Sequence, residues 1–140
     1  MSQVSRWEHF NHDADIGVRG YGATLADAFV AAAMALTAVV TDPDTVACRE
    51  EIDIEVPADD PEWQFFNFLN AIVYEMTTRN MLFGDYQVQL VNGKLLAKAR
   101  GEPVDRQKHQ PAVEIKGATM TELSIHTSPR GWCAQCVVDV

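Results

Sequence analysis

Asn92-Gly93 stands between two strand-like runs, YQVQLV (86–91) and KLLAKAR (94–100). Both residues of the dipeptide accept positive φ, as a two-residue hairpin turn requires, so no short sequence signals a hairpin more strongly. This part of the chain is therefore committed to antiparallel β structure. REEIDIEVPA (49–58) alternates Ile52, Ile54 and Val56 with Glu51, Asp53 and Glu55, the pattern of a strand with one wet face. Residues 7–10 and 15–19 read as strands around a polar cluster. AVEIK (112–116), TELSIHTS (121–128) and WCAQCVVDV (132–140) read as three more, with Pro129-Arg130-Gly131 turning the last pair.

Two segments carry helical spacing instead. After the GYG turn at 20–22, Thr24 caps a helix, with Asp27 as its capping-box partner. Leu25, Phe29, Ala32, Leu36 and Val39 or Val40 then share one face. Its run AFVAAAMAL permits close packing against a sheet, and Asp42-Pro43 ends it. Asp59-Asp60-Pro61-Glu62 opens a second helix, EWQFFNFLNAIVYEMTTRN, which closes at Arg79 and Asn80. That segment is apolar on most sides, which predicts a central position. GEPVDRQKHQP (101–111) reads as a loop. The expectation is a single α+β domain over 1–140, with two long helices packed on a mostly antiparallel sheet.

Of the 140 residues, 47% are hydrophobic, enough for a real core. A net charge of −9 sets the surface against nucleic acid. Residues 94–116 differ: Lys94, Lys98, Arg100, Arg106, Lys108 and Lys116 against Glu102, Asp105 and Glu114 leave +3 there and −12 elsewhere. That segment suits either a phosphate or acidic partner, or a solvated strand face with mixed charges. No apolar run reaches the roughly 20 residues of a membrane span, and the start lacks a secretory apolar stretch. With an odd count of three cysteines, these features predict a cytoplasmic protein without a disulfide framework.

The chemistry concentrates at two places. NHDADIGVRG (11–20) packs Asn11, His12, Asp13 and Asp15 into five positions. In a continuous strand Asp13 and Asp15 share a face and His12 takes the other, which argues against His12 as a ligand. At the other end, Asp139 and the α-carboxylate of Val140 follow a strand-like run. If the two stretches lie side by side, their oxygens demand a counter-charge, a basic side chain or a hard cation such as Ca²⁺ or Mg²⁺ rather than Zn²⁺. The bland alternative is solvated aspartates. Cys133-Ala-Gln-Cys136 puts its sulfurs on opposite strand faces, so it reads as buried hydrophobe rather than a redox pair or zinc site. No phosphate-cradling glycine loop and no nucleophile setting is recognisable. Trp63, Phe65, Phe66 and Phe68 read as core.

HDADIGVRGYGATLADAFVAAAMAL (12–36) resembles the opening of the archease family, His-x-Ala-Asp-x-Gly before a Thr-Leu-capped helix. FLNAIVYEMTTRNMLF, GEPVD…H…AVEIKGAT and the terminal W…VVDV resemble its later blocks in the same order. The resemblance implies a small accessory protein, not an enzyme. It would activate an RtcB-type RNA-splicing ligase in tRNA splicing and RNA repair, promoting ligase guanylylation and multiple turnover. GTP and RNA would be met only through the ligase. It further implies a divalent-metal site of Asp15, Asp139 and Val140, with Ca²⁺ as the expected ion and Mg²⁺ or Mn²⁺ as alternatives. Lys116 matches a family position and is expected as a charge partner near the metal or on the ligase-facing surface. His12 is a second candidate partner. Asp13, Met120 and Thr121 depart from the family pattern, and Asp13 is not carried over as a ligand. Two rival functions stand beside this one: a metal-dependent phosphoester hydrolase using His12 as general base, and a chaperone-like binding module for RNA-processing proteins.

Overall fold

A computed structural model describes residues 5–140. The chain runs β1 (Arg6–His12), β2 (Asp15–Gly22), α1 (Leu25–Val40), a 3₁₀ turn (Pro43–Thr45), β3 (Glu50–Val56) and α2 (Pro61–Arg79). It continues through β4 (Met81–Val91), β5 (Lys94–Pro103), α3 (Arg106–His109), β6 (Gly117–Ala118), β7 (Ser124–Ser128) and β8 (Gly131–Asp139). The architecture is α+β and every strand pair is antiparallel. The strands divide into two sheets rather than one: β1-β2-β8-β6 with β7 also on β8, and β3-β5-β4.

The local signals act as their chemistry requires. Asn92 and Gly93 take φ of 53° and 81° between β4 and β5, so the hairpin forms where the dipeptide placed it. The Thr24 hydroxyl accepts from the Asp27 N–H (3.1 Å) at the start of α1. Asp60 caps α2 by accepting from Glu62 N–H and Trp63 N–H, with Pro61 in the first turn and Asn80 left-handed at the end.

Which helix is central is a correction. It is α1, whose Ala28, Phe29, Ala31, Ala32, Ala33, Ala35, Leu36 and Thr37 wrap most of the helix circumference and are all buried, while Asp27, Val30, Met34 and Ala38 form the one half-buried stripe. Alanine explains it, because a helix with short side chains can be approached closely from several sides at once. A Cβ on Gly20 of β2 would stand 2.2 Å from Ala32 N and 2.4 Å from Ala28 O, so the five-stranded sheet meets the helix backbone itself. On another side the Thr37 hydroxyl donates to Phe83 O of β4 (2.8 Å). Thus α1 lies between the sheets. Helix α2 buries Phe65, Phe68, Leu69, Ile72 and Met76 and leaves Trp63, Asn67 and Tyr74 exposed, so it is one-sided. Phe29 joins the helices, its ring 5.1 Å from Phe65 and 6.2 Å from Phe68.

Three smaller expectations also change. Asp13, at φ 53°, and Ala14 form the β1–β2 turn instead of continuing a strand. AVEIK is not a strand. It is held by single bonds, Ala112 N–H to Val40 O and Lys116 N–H to Asp139 O (both 2.8 Å). The 101–111 segment is not all loop: β5 extends to Pro103 and one helical turn, α3, follows. Among the described residues no helix is long and apolar enough to cross a membrane.

Candidate functional site

Strand β8 lies between β2 and β6, and this placement sets the C-terminal residues beside the β1–β2 turn. Ile16 pairs with Val138 in the β2–β8 register, so Asp15 and Asp139 stand abreast one step further out. Gly117 pairs with Asp139 on the other side. The Val140 N–H then donates to Asp15 Oδ1 (3.4 Å), a long contact that nevertheless joins residues 125 positions apart. Asp139 is exposed, while Asp15 and Val140 are half-buried.

The hairpin turn alters the reading of His12. Because Asp13 and Ala14 leave the strand, His12 pairs directly with Asp15, and paired residues project to the same face of a sheet. His12, Asp15 and Asp139 therefore form one row across three strands, contrary to the expectation that His12 turns away. The row does not close into a cage. Among the described residues no three His, Cys, Asp or Glu side chains gather closely enough to hold a metal ion. His12 Nδ1 lies 3.8 Å from Asp13 Oδ2, at the turn. What the sequence placed here is thus two aspartates and the Val140 end, with His12 beside them.

Lys116 sits next to the row through its backbone, since its N–H donates to Asp139 O. Its side chain is exposed, and no ion pair engages it, Asp15 or Asp139 among the described residues. Most of the basic 94–116 segment behaves differently. Lys94 pairs with Glu55, Lys98 with Glu51 and Asp53, Arg100 with Glu51 and Asp85, and Lys108 with Glu102. Its excess charge is largely spent on neighbouring strands, the mixed-charge strand face of the two sequence readings.

One polar cluster escaped the sequence reading. Glu102, 6% exposed, accepts from Lys108 Nζ (2.6 Å), Ala47 N–H (2.8 Å) and His109 Nε2 (2.9 Å). The Lys108 ammonium, helped by the Ala47 N–H and His109, holds its carboxyl down at about 2. His109 Nδ1 accepts the Asp105 N–H (2.9 Å), which leaves Nε2 as the protonated nitrogen of a neutral ring. GE…H in the sequence was the signal, but only the fold shows that α3 returns His109 onto Glu102. The network ties the loop at 47, β5 and α3 together and lies away from the carboxylate row.

Cys133 and Cys136 face opposite sides of β8 and are both buried. Cys136 packs in the core with Val18, and burial pushes its thiol up to about 12, so thiolate is scarce there.

Residues 7–140 match the model of the Archease protein family (MTH1598/TM1083). The chain belongs to the archease family. It is 41% identical to the archease of Pyrococcus furiosus and 42% identical to that of Thermococcus gammatolerans, each over 98% of this chain and 100% of the relative. The solution structure of Methanobacterium thermoautotrophicum protein 1598 superposes with a TM-score of 0.78 at 25% identity, covering 96% of this chain and 98% of that one. The crystal structure of a Thermotoga maritima archease, described there as a possible chaperone, shares the fold at a TM-score of 0.62 and 16% identity. It covers 95% of this chain and 96% of that one.

Proposed function

We propose that this archease is an accessory activator of an RtcB-type RNA-splicing ligase, acting in tRNA splicing and RNA repair. In this reading it promotes guanylylation of the ligase and its multiple turnover, and performs no catalysis of its own. Asp15, Asp139 and the Val140 carboxylate would hold a divalent cation, Ca²⁺ first, with Mg²⁺ or Mn²⁺ as alternatives. The observation that carries the reading is the Val140–Asp15 contact, which sets the final residues against the Ala-Asp-x-Gly motif. Family membership supports the rest.

The donor set suits the group. Carboxylate oxygens are hard ligands, and no cationic side chain among the described residues occupies them. Ca²⁺ takes about 6–8 oxygens and Mg²⁺ commonly completes its shell with water and phosphate. Two aspartates and a terminal carboxylate leave positions over, which fits an ion shared with a partner's phosphate groups. The chemistry such an ion supplies is neutralisation of negative charge on phosphate. This chain's contribution is to orient the carboxylates: β8 fixes Asp139 between β2 and Lys116, and the Val140 N–H restrains one Asp15 oxygen. His12 and Lys116 flank the row as charge partners, and the partner protein meets this end of the five-stranded sheet.

The test is ligase guanylylation with GTP, comparing the wild-type chain with Asp139→Asn and with a C-terminally extended chain. Stimulation by the wild type and its loss in both variants is expected. Unchanged stimulation by the variants removes the metal site from the mechanism. No stimulation by the wild type removes the ligase role and leaves the chaperone-like module. Phosphoester turnover by the isolated protein with Mg²⁺ or Mn²⁺ would establish the hydrolase.

A further inference from the structure

The face of the five-stranded sheet turned away from α1 carries a second row at its other end. Arg6, Tyr21, Cys133 and His126 are register partners across β1, β2, β8 and β7. Along β2 this row stands six residues from Asp15, about 20 Å at the strand rise. Arg6, Tyr21, His126, Ser128, Arg130 and Cys133 line a cavity of about 280 Å³ there. Its lining holds two arginines and a histidine and no carboxylate. The chain as a whole has 20 acidic residues against 11 lysines and arginines, so an acid-free cavity is a marked local inversion.

The neighbouring charges preserve that inversion. Glu8, one row inward, is shared: Arg19 Nη1 at 2.9 Å, the Tyr21 hydroxyl at 2.7 Å and Arg6 Nη1 at 3.5 Å all approach it. One carboxylate thus serves two guanidiniums. Arg6 is also held in place, its guanidinium 3.8 Å above the Tyr21 ring. Arg130 and His126 have no ion-pair partner among the described residues, and both are exposed. The Ser128 hydroxyl, which accepts the Arg130 N–H (3.2 Å), keeps its own hydrogen to donate. Planar guanidinium forks with hydroxyl and imidazole donors match the oxygens of a phosphate better than those of a carboxylate, which offers only two.

We propose that this cavity is a phosphate-binding subsite, taking either inorganic phosphate or the phosphate group of a mononucleotide. It is independent of the carboxylate row and of the ligase, so its failure would leave the proposed function untouched.

The test is titration of the ¹⁵N-labelled protein with inorganic phosphate, with AMP and with acetate at constant ionic strength, followed by NMR. Saturable shifts at Ser128, Arg130, Gly131 and the Arg6 Nε–H with phosphate and AMP, and none with acetate, are expected. Arg130→Ala, an exposed turn position, should weaken binding roughly tenfold, the loss of one charge-assisted contact. His126→Ala provides a second variant on a different strand. Tighter binding of AMP identifies the nucleotide as the source, and equal binding identifies free phosphate. The proposal is overturned if shifts do not saturate, if acetate competes equally, or if neither variant changes affinity.

Discussion

The three-stranded sheet and the Asp15–Asp139 end of the five-stranded sheet treat their acidic residues in opposite ways. On the three-stranded sheet Glu51, Asp53, Glu55 and Asp85 stand opposite Lys94, Lys98 and Arg100, and the outward face is a ladder of ion pairs. Its residues alternate because β3 and β5 each have one dry face and one wet one. On the five-stranded sheet Asp15 and Asp139 stand together with no cationic side chain on either among the described residues. Both arrangements use the same acidic residue types, exposed along the ladder and at Asp139 and half-buried at Asp15. Local composition therefore does not separate the two arrangements; what separates them is charge that the fold gathers and leaves without a cationic side chain among the described residues. A ladder dissipates charge, whereas a row of like charges conserves it for something else.

The largest effect should be common to both sheets, and so controls the comparison. Gly20→Ala places a Cβ against the α1 backbone, and Gly101→Ala places one 1.8 Å from Leu82 O. Since backbone cannot step aside, each should cost about 3 kcal/mol, the upper part of the overpacking range, read from urea unfolding midpoints. A small loss from either would mean that its sheet is not seated as described.

Calcium should then separate the sheets. Added at 100 times its Kd, it should stabilise the wild-type protein by roughly 2.7 kcal/mol in thermal melts. Asp15→Asn and Asp139→Asn should each abolish that gain, while Asp53→Asn on the ladder should keep it. Equal sensitivity of all three variants would dissolve the distinction.

Acid should act on one group at the end of the three-stranded sheet. The Glu102 carboxyl sits at about 2 against an ordinary 4.5. A lowered folded-state value gives stabilisation that is complete above about 4.5 and is lost as pH falls from there through about 2. Glu102→Gln should flatten the stability profile across that window, seen as a smaller pH dependence of the urea midpoint. The smallest effect belongs to the ladder itself: Lys94→Ala should cost less than about 1 kcal/mol and should matter less at high salt.

Much of this was legible in the chain because the relevant interactions are short-range. The Asn92-Gly93 turn, the Thr24 and Asp60 caps and the alternation of β3 each depend on a few neighbouring residues, and they stand where the sequence placed them. His12 was misplaced for an equally local reason. A left-handed Asp13 converts a presumed strand into a turn, which reverses the side to which His12 projects. The Glu102–His109 pair lies within the 101–111 segment but forms only because α3 turns back onto β5, and the Arg6–His126 row joins residues that no single segment contains.

The sequence by itself determined most of the secondary elements, the two long helices and the Asn92-Gly93 hairpin among them, together with the α+β class and the residue types suited to a hard cation, because propensity, capping and periodicity act within a turn or two. Tertiary structure alone decided that α1 rather than α2 lies between the sheets. It also decided that β8 enters between β2 and β6 and sets Val140 against Asp15. Strand order is settled by the simultaneous burial of all the apolar faces, and that sum has no local signature.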